Sequence, residues 1–296
     1  MPSKLYLKKP DSFSFRHTIR SHGWYDLLPF EIDREAFALT YVFTDASSGR
    51  PVTGTIMEEG EDLLVELSDR VADQAGILRD VRHVLRLDDE MESFYETISI
   101  DERLLWVREK KAGRLLRSPT VWEDLVKTLC TTNCSWGLTK KMVENLVTKL
   151  GASDGKDRNA FPTPEAMASV DETFYRNEIK CGYRSPYFLE LAVKVTSGEL
   201  QPEEWLSSDL STQDLKNEIK KIKGFGDYAS ENLLKLLGRY DGLTLDSWLR
   251  ARFYATHNNE KKCADKKIER HYAKFGQWKG LAIWCDMTES WFDERF

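Results

Sequence analysis

Two periodicities divide the chain. In the first hundred residues, short β-branched runs alternate with turn signals. AFALTYVFTD is followed by Ser47-Ser48-Gly49-Arg50-Pro51, and VTGTIMEEGEDLLVELS doubles back at Glu59-Gly60-Glu61-Asp62. Such runs predict the hairpins of an antiparallel sheet. From about Ile77 the spacing becomes helical. ILRDVRHVLRL, ESFYETI and ERLLWVREKKAG place apolar residues three and four apart, and nearly everything after them does the same. The expected class is α+β, with an N-terminal antiparallel β domain over residues 1–78 and an all-helical domain over residues 79–296.

Several helix ends are marked in the second part. Ser118-Pro119-Thr120 precedes VWEDLVKTLC, which puts Pro119 in a first helical turn. LTKKMVENLVTKLG closes on Gly151 as a C-cap, and Phe161-Pro162-Thr163-Pro164-Glu165 opens another helix after a polar loop. No internal repeat or low-complexity segment is present.

One helical pair stands out. LKNEIKKIKGFGDYASENLLKLLGR, from Leu215 to Arg239, reads as two short helices joined by Lys223-Gly224-Phe225-Gly226-Asp227. Glycines two apart allow a tight turn, and the N–H groups of Gly224 and Gly226 then point outward with the free donors of the next helix. That arrangement suits a phosphate and reads no base. An ordinary helical hairpin explains the glycines equally well. Twenty residues after Gly226, Asp246 heads the helical stretch SWLRARF. Asp is also among the best N-caps, so capping alone accounts for that placement.

Composition bounds these readings. Of 296 residues 41% are hydrophobic and 31% charged, which is a soluble, globular balance without an apolar run of membrane-spanning length. The N-terminal MPSKLYLKKPDSFSF lacks the apolar stretch of a secretory signal. Cys130, Cys134, Cys181, Cys263 and Cys285 are odd in number and lack CxxC spacing, so neither a disulfide framework nor a zinc site is expected. The net charge of −6 argues mildly against a nucleic-acid partner, but it is unevenly spread. Residues 1–100 hold 11 Lys+Arg against 19 Asp+Glu, and the remainder 32 against 30. Lysines at 216, 220, 221 and 223 lead into the glycine turn.

GFGDYASENLLKLL followed by LTLDSWLRARF resembles the helix-hairpin-helix and catalytic-aspartate signature of the HhH-GPD DNA glycosylase superfamily. The likeness extends through LRDVRHVLRLDDEMESFY, RLLRSPTVWEDLVKTLCTTNCSWGLTKKMVENLVTKLG, FPTPEAMA and KCGYRSPYFLELA, in the order of the 8-oxoguanine and 3-methyladenine branches. It covers residues 80–290 well and the first 80 loosely. Those branches also carry an N-terminal antiparallel β domain, and a catalytic cleft between helical subdomains.

The resemblance implies roles for particular residues. Asp246 becomes the catalytic carboxylate. Lys223, Gly224, Phe225, Gly226, Asp227 and Ala229 become DNA contacts of the hairpin, and Asn133 the residue that fills the gap left by a flipped base. For Asn133 a helix cap is an equal alternative. Tyr228 stands where strand-cutting members place a Schiff-base lysine, so an enzyme that uses water and lacks β-lyase activity is expected. With Tyr228, the tryptophans Trp24, Trp136, Trp248 and Trp284 are expected to line a base pocket near Gly23, and Trp278 to lie close to it. Such a pocket favours a base that alkylation has made cationic. Ile283 occupies the place of a glutamine that reads oxidised guanine in the 8-oxoguanine branch.

Only Cys263 and Cys285 fall in the region that holds four cluster-binding cysteines in some members, so no iron–sulfur cluster is expected. No metal site is expected, although a monovalent cation at the hairpin turn is compatible with the resemblance. The expected partner is double-stranded DNA with a damaged base, bound by a monomer in the cytoplasm (nucleoid) or nucleus, with no membrane association. The implied activity is monofunctional excision of an alkylated or modified purine. An oxidised-purine glycosylase and a non-catalytic damaged-DNA-binding protein are the alternatives.

Overall fold

The computed structural model describes residues 2–293. Five strands form one antiparallel sheet: β1 (Ser3–Lys8), β2 (Glu31–Asp33), β3 (Ala38–Thr44), β4 (Pro51–Glu59) and β5 (Asp62–Leu67), in the order β1-β5-β4-β3-β2. The two expected hairpins are β3–β4 and β4–β5. Their register lines up Leu39, Ile56, Val65 and Leu5 in one row across the sheet, all buried. A period of two therefore turns one face inward. The edge strands β1 and β2, and a helix at Phe15–Ile19 capped by Ser14, lie outside the hairpin pattern and were not expected. Helices follow from Gln74–Val84 onward.

The buried apolar residues form two clusters, and neither is confined to one part of the chain. The sheet shares the first with helices Gln74–Val84, Val121–Thr131, Trp136–Leu150, Ser185–Thr196, Thr212–Ile219 and Asp227–Leu236. The second joins residues 91–115 to residues 240–287, including helices Ser247–His257 and Lys279–Thr288. The chain thus leaves the first core, starts the second, returns, and finishes the second. A polar fastening ties sheet to helix in the first core, where Tyr41 donates to Glu123 Oε2 at 2.5 Å and Lys127 pairs with Glu123 Oε1 at 2.6 Å.

Local capping differs from expectation in two places, and a third cap is as expected but for another reason. Thr120 caps Val121–Thr131 through Glu123 N, so Pro119 lies before the helix and not in its first turn. Ser135 caps Trp136–Leu150 through Leu138 N, which removes Asn133 from that task. Gly151 is the C-cap of that helix as expected, in an extended conformation (φ −71°, ψ 141°). A Cβ there would stand 2.1 Å from the Ala160 carbonyl oxygen, so close approach, not turn conformation, requires the glycine. Thr163 and Pro164 open Pro164–Ala168 as the pattern predicts. Among the described residues no helix is long and apolar enough to cross a membrane.

Candidate active site

The glycine hairpin forms as a backbone device. Thr212–Ile219 and Asp227–Leu236 are joined by a turn in which Gly224 has φ +93°, and a Cβ on it would lie 2.6 Å from Leu129 Cδ1. Conformation and space both demand glycine there. Gly226, the N-cap, has φ −93° and open space where a Cβ would point. Gly224, Gly226, Asp227 and Lys223 are exposed, so the first N–H groups of the second helix face solvent.

Two expected contact residues behave otherwise. Phe225 is 5% exposed and Ala229 1%, and both side chains pack in the first core. The Phe225 N–H is spent on the Ile222 carbonyl. Their side chains therefore hold the turn in place and do not reach a surface ligand. Lys223 reaches Glu190 at 2.6 Å, and Asp227 pairs with Lys216 and Lys220 at 3.1 and 2.9 Å. Exposed pairs of this kind exchange readily with another anion or cation.

A cavity of about 700 Å³ opens beside the hairpin, along the seam between the two cores. The first core contributes Trp24 and Leu236 to its wall, and the second Leu115 and Leu249. Tyr228, Trp136, Trp248 and Trp284 also line it, so all five expected pocket aromatics meet in one place. Trp24 is held by a bond from its Nε1 to buried Asp124 Oδ1 at 2.6 Å, and Trp284 by one to the Ser21 carbonyl at 2.9 Å. Burial pushes the Asp124 carboxyl up to about 6, against the pull of its Ser118 and Trp24 donors. Trp136 lies against Gly23, where a Cβ would come within 2.6 Å of the indole. Trp278 stacks instead on Tyr240 and packs against Phe94, outside this cavity. Ile283 is buried in the second core, and its neighbour Trp284 supplies the wall.

Asp246 meets the same cavity from the start of Ser247–His257. Its Oδ1 accepts from Leu249 N at 2.7 Å, so the capping role is real. Among the described residues the carboxylate makes no other hydrogen bond or ion pair, which leaves Oδ2 for a ligand. Asn133 adopts φ +47°, is exposed, and donates to the Tyr183 hydroxyl at 3.3 Å. It stands at the tip of the turn beside Cys134 and Trp136, which line the cavity.

Among the cavity residues that sequence reasoning missed are four that carry charge or an aromatic ring into the wall. Arg20 and His22 come from the irregular segment after the first helix, and Trp291 from the C-terminal end, where it packs on Trp248 and Trp284. Burial holds His22 neutral, its pKa lowered to about 3, while its Nε2 contacts the Leu116 carbonyl. The fourth is Lys235, which is 5% exposed with Nζ 4.4 Å from the Trp284 ring centroid. A charge in the run Leu233-Leu234-Lys235-Leu236-Leu237 is the signal that identifies it.

One group among the described residues has metal-ligand spacing. His257, His271 and Asp286 bring donor atoms within 4.8 Å of one another. Asp286 Oδ2 already contacts His257 Nε2 and the Tyr272 hydroxyl at 2.6 Å each, and Oδ1 accepts from Arg103 at 3.4 Å. The group ties Ser247–His257 to Lys279–Thr288 outside the cavity.

A structure of MBOgg1 in complex with a low affinity DNA ligand superposes with TM-score 0.77 and 22% identity, covering 98% of this chain and 96% of that one. The 3-methyladenine DNA-glycosylase from Archaeoglobus fulgidus gives 0.76 and 19%, over 98% and 99%. The fold is that of the helix-hairpin-helix glycosylases. The Clostridium acetobutylicum 8-oxoguanine glycosylase/lyase, in complex with dsDNA containing cytosine opposite 8-oxoG, gives 0.75 and 17%, over 99% and 98%. In sequence, an N-glycosylase/DNA lyase of Saccharomyces cerevisiae is 20% identical over 198 residues, 63% of this chain. The chain spans about half the length of that curated relative, 53%. No family model matches the chain. Within the glycosylase fold, the hairpin, Asp246 and the aromatic cavity stand side by side.

Proposed function

We propose that this chain is a DNA glycosylase of base excision repair, which turns a damaged base out of duplex DNA and cleaves its N-glycosidic bond with the help of Asp246. The observation that carries the reading is a carboxylate with one uncommitted oxygen, at a helix start, facing an aromatic cavity large enough for a purine. Cleavage builds positive charge on the deoxyribose, and a carboxylate close to C1′ stabilises it and orients water for attack. The exposed N–H groups after Gly224 hold a backbone phosphate, and Lys223 adds charge when it exchanges Glu190 for DNA. Asn133, at the tip of its turn, enters the space that the flipped base leaves.

Tyr228, where a lysine would form an imine, supports a hydrolytic enzyme that leaves an abasic site. Two solved neighbours of the fold are named for different bases, 3-methyladenine and 8-oxoguanine. The aromatic walls by themselves do not choose between the two. The test is a set of duplexes each carrying one lesion, incubated under single-turnover conditions and assayed for abasic sites. Release of at least one damaged base is expected, with no adduct trapped by borohydride. Persistent binding without release from any duplex contradicts the reading and favours a damaged-DNA-binding protein.

A further inference from the structure

A buried ammonium with nothing to bind is costly, because it has lost water and gained no acceptor. Lys235 comes close to that condition, 5% exposed in the wall of the cavity. Among the described residues its Nζ has no hydrogen-bonded or ion-paired partner, only the face of Trp284. Its backbone is fixed, since the buried Arg86 Nη2 donates to the Lys235 carbonyl at 3.0 Å and its Nε to that of Leu115 at 2.8 Å. Burial lowers its pKa to about 8, opposed by Asp246 and Glu231, so the amine is mostly charged at neutral pH. A second polar group in the same wall is likewise unpaired. Thr244 is 2% exposed, and its Oγ1 is buried without a partner.

We propose that Lys235 selects the base: the cavity takes a neutral base that offers a carbonyl or ring-nitrogen acceptor to the ammonium, and turns away a base that alkylation has made cationic. This rests on the glycosylase reading above and names the substrate class for that site. Two effects act together. The ammonium already occupies the Trp284 face on which a cationic ring would stack, so the cation–π attraction that such a pocket offers is taken. The same charge repels a second cation brought into the same cavity. A neutral ring with a carbonyl edge satisfies Lys235 instead, and Thr244 gives or accepts a second hydrogen bond.

The test compares matched bases. Duplexes carrying 8-oxoguanine or hypoxanthine (neutral) and 7-methylguanine or 3-methyladenine (cationic) are treated with the wild type and with Lys235→Met under single-turnover conditions. Melting curves and affinity for an abasic-site duplex check that the variant folds and binds. The wild type is expected to release a neutral base at least tenfold faster than either cation. Lys235→Met is expected to reduce that ratio at least tenfold, chiefly by slowing release of the neutral base. A wild-type preference for the cations overturns the inference, and so does an unchanged ratio in the variant, while base release itself leaves the glycosylase reading standing. A borohydride-trapped adduct mapped to Lys235 also overturns it, by making the amine a nucleophile. Release of no base from any duplex removes both.

Discussion

At the start of helix Asp227–Leu236, Gly224 and Gly226 stand in solvent and the polar groups on offer are backbone N–H. Two turns further on, Lys235 is buried against Trp284, and the carbonyls around it are held by Arg86 and Arg117. One helix therefore presents solvated backbone donors at its head and a largely buried, side-chain-built wall near its tail. Backbone groups at the head fit any phosphate and are screened by salt. Side chains at the tail are more buried, so they are worth more per contact and cost more when left unmatched. Asp246 lies between these regimes, half-buried, with one oxygen fixed by the backbone and one open.

Substitutions at the two ends sharpen this contrast. The largest expected loss is at the head, where conformation is constrained. Gly224→Val, which meets both positive φ and Leu129, is expected to lose roughly 2–4 kcal/mol of stability in urea titration. Gly226→Ala, with ordinary φ and open space, is expected to stay within about 1 kcal/mol. Equal losses at the two glycines would remove the distinction drawn between them.

At the tail the effect depends on pH. The folded pKa of Lys235 is near 8 and the unfolded one near 10.5, so between those values the unfolded chain binds more protons and stability rises with pH. Lys235→Met is expected to lack this increment, on the order of 2–3 kcal/mol across the window. Parallel melting temperatures of the two proteins from pH 7.5 to 10, scanned in about five steps, would contradict the burial of that charge. The smallest effect returns to the head. Lys223→Ala is expected to weaken DNA binding by a few-fold and to reduce the slope of log affinity against log salt by about one, without changing stability. An unchanged slope would mean that Glu190 keeps the lysine when DNA is bound.

How much of this was legible in the sequence follows from whether a feature is local. The β3–β4 and β4–β5 hairpins carry their turn residues with them, and Thr163-Pro164 marks its helix start within two residues. The glycine turn and Asp246 are local as well, and the fold they implied is the one observed. The cavity is not local. Its walls come from residues 20–25, 115, 131–139, 228–249 and 284–291, brought together only when two cores close on each other. Arg20, His22 and Trp291 carry no short-range signal for that. Phe225 and Ala229 show the converse, because a motif gives positions and does not say which side chains turn inward. Lys235 was readable in principle, since a lone charge between two leucine pairs breaks the apolar pattern of its helix face.

The most direct measurement follows Asp246→Asn in two assays on the same preparation: single-turnover release of whichever damaged base the wild type excises, and affinity for an abasic-site duplex. The amide keeps the cap acceptor for Leu249 N but lacks the charge that the proposed reaction sets against the deoxyribose. Base release is expected to fall by ~10³-fold or more, with affinity held within about threefold. Wild-type rates of release in the variant would contradict the account.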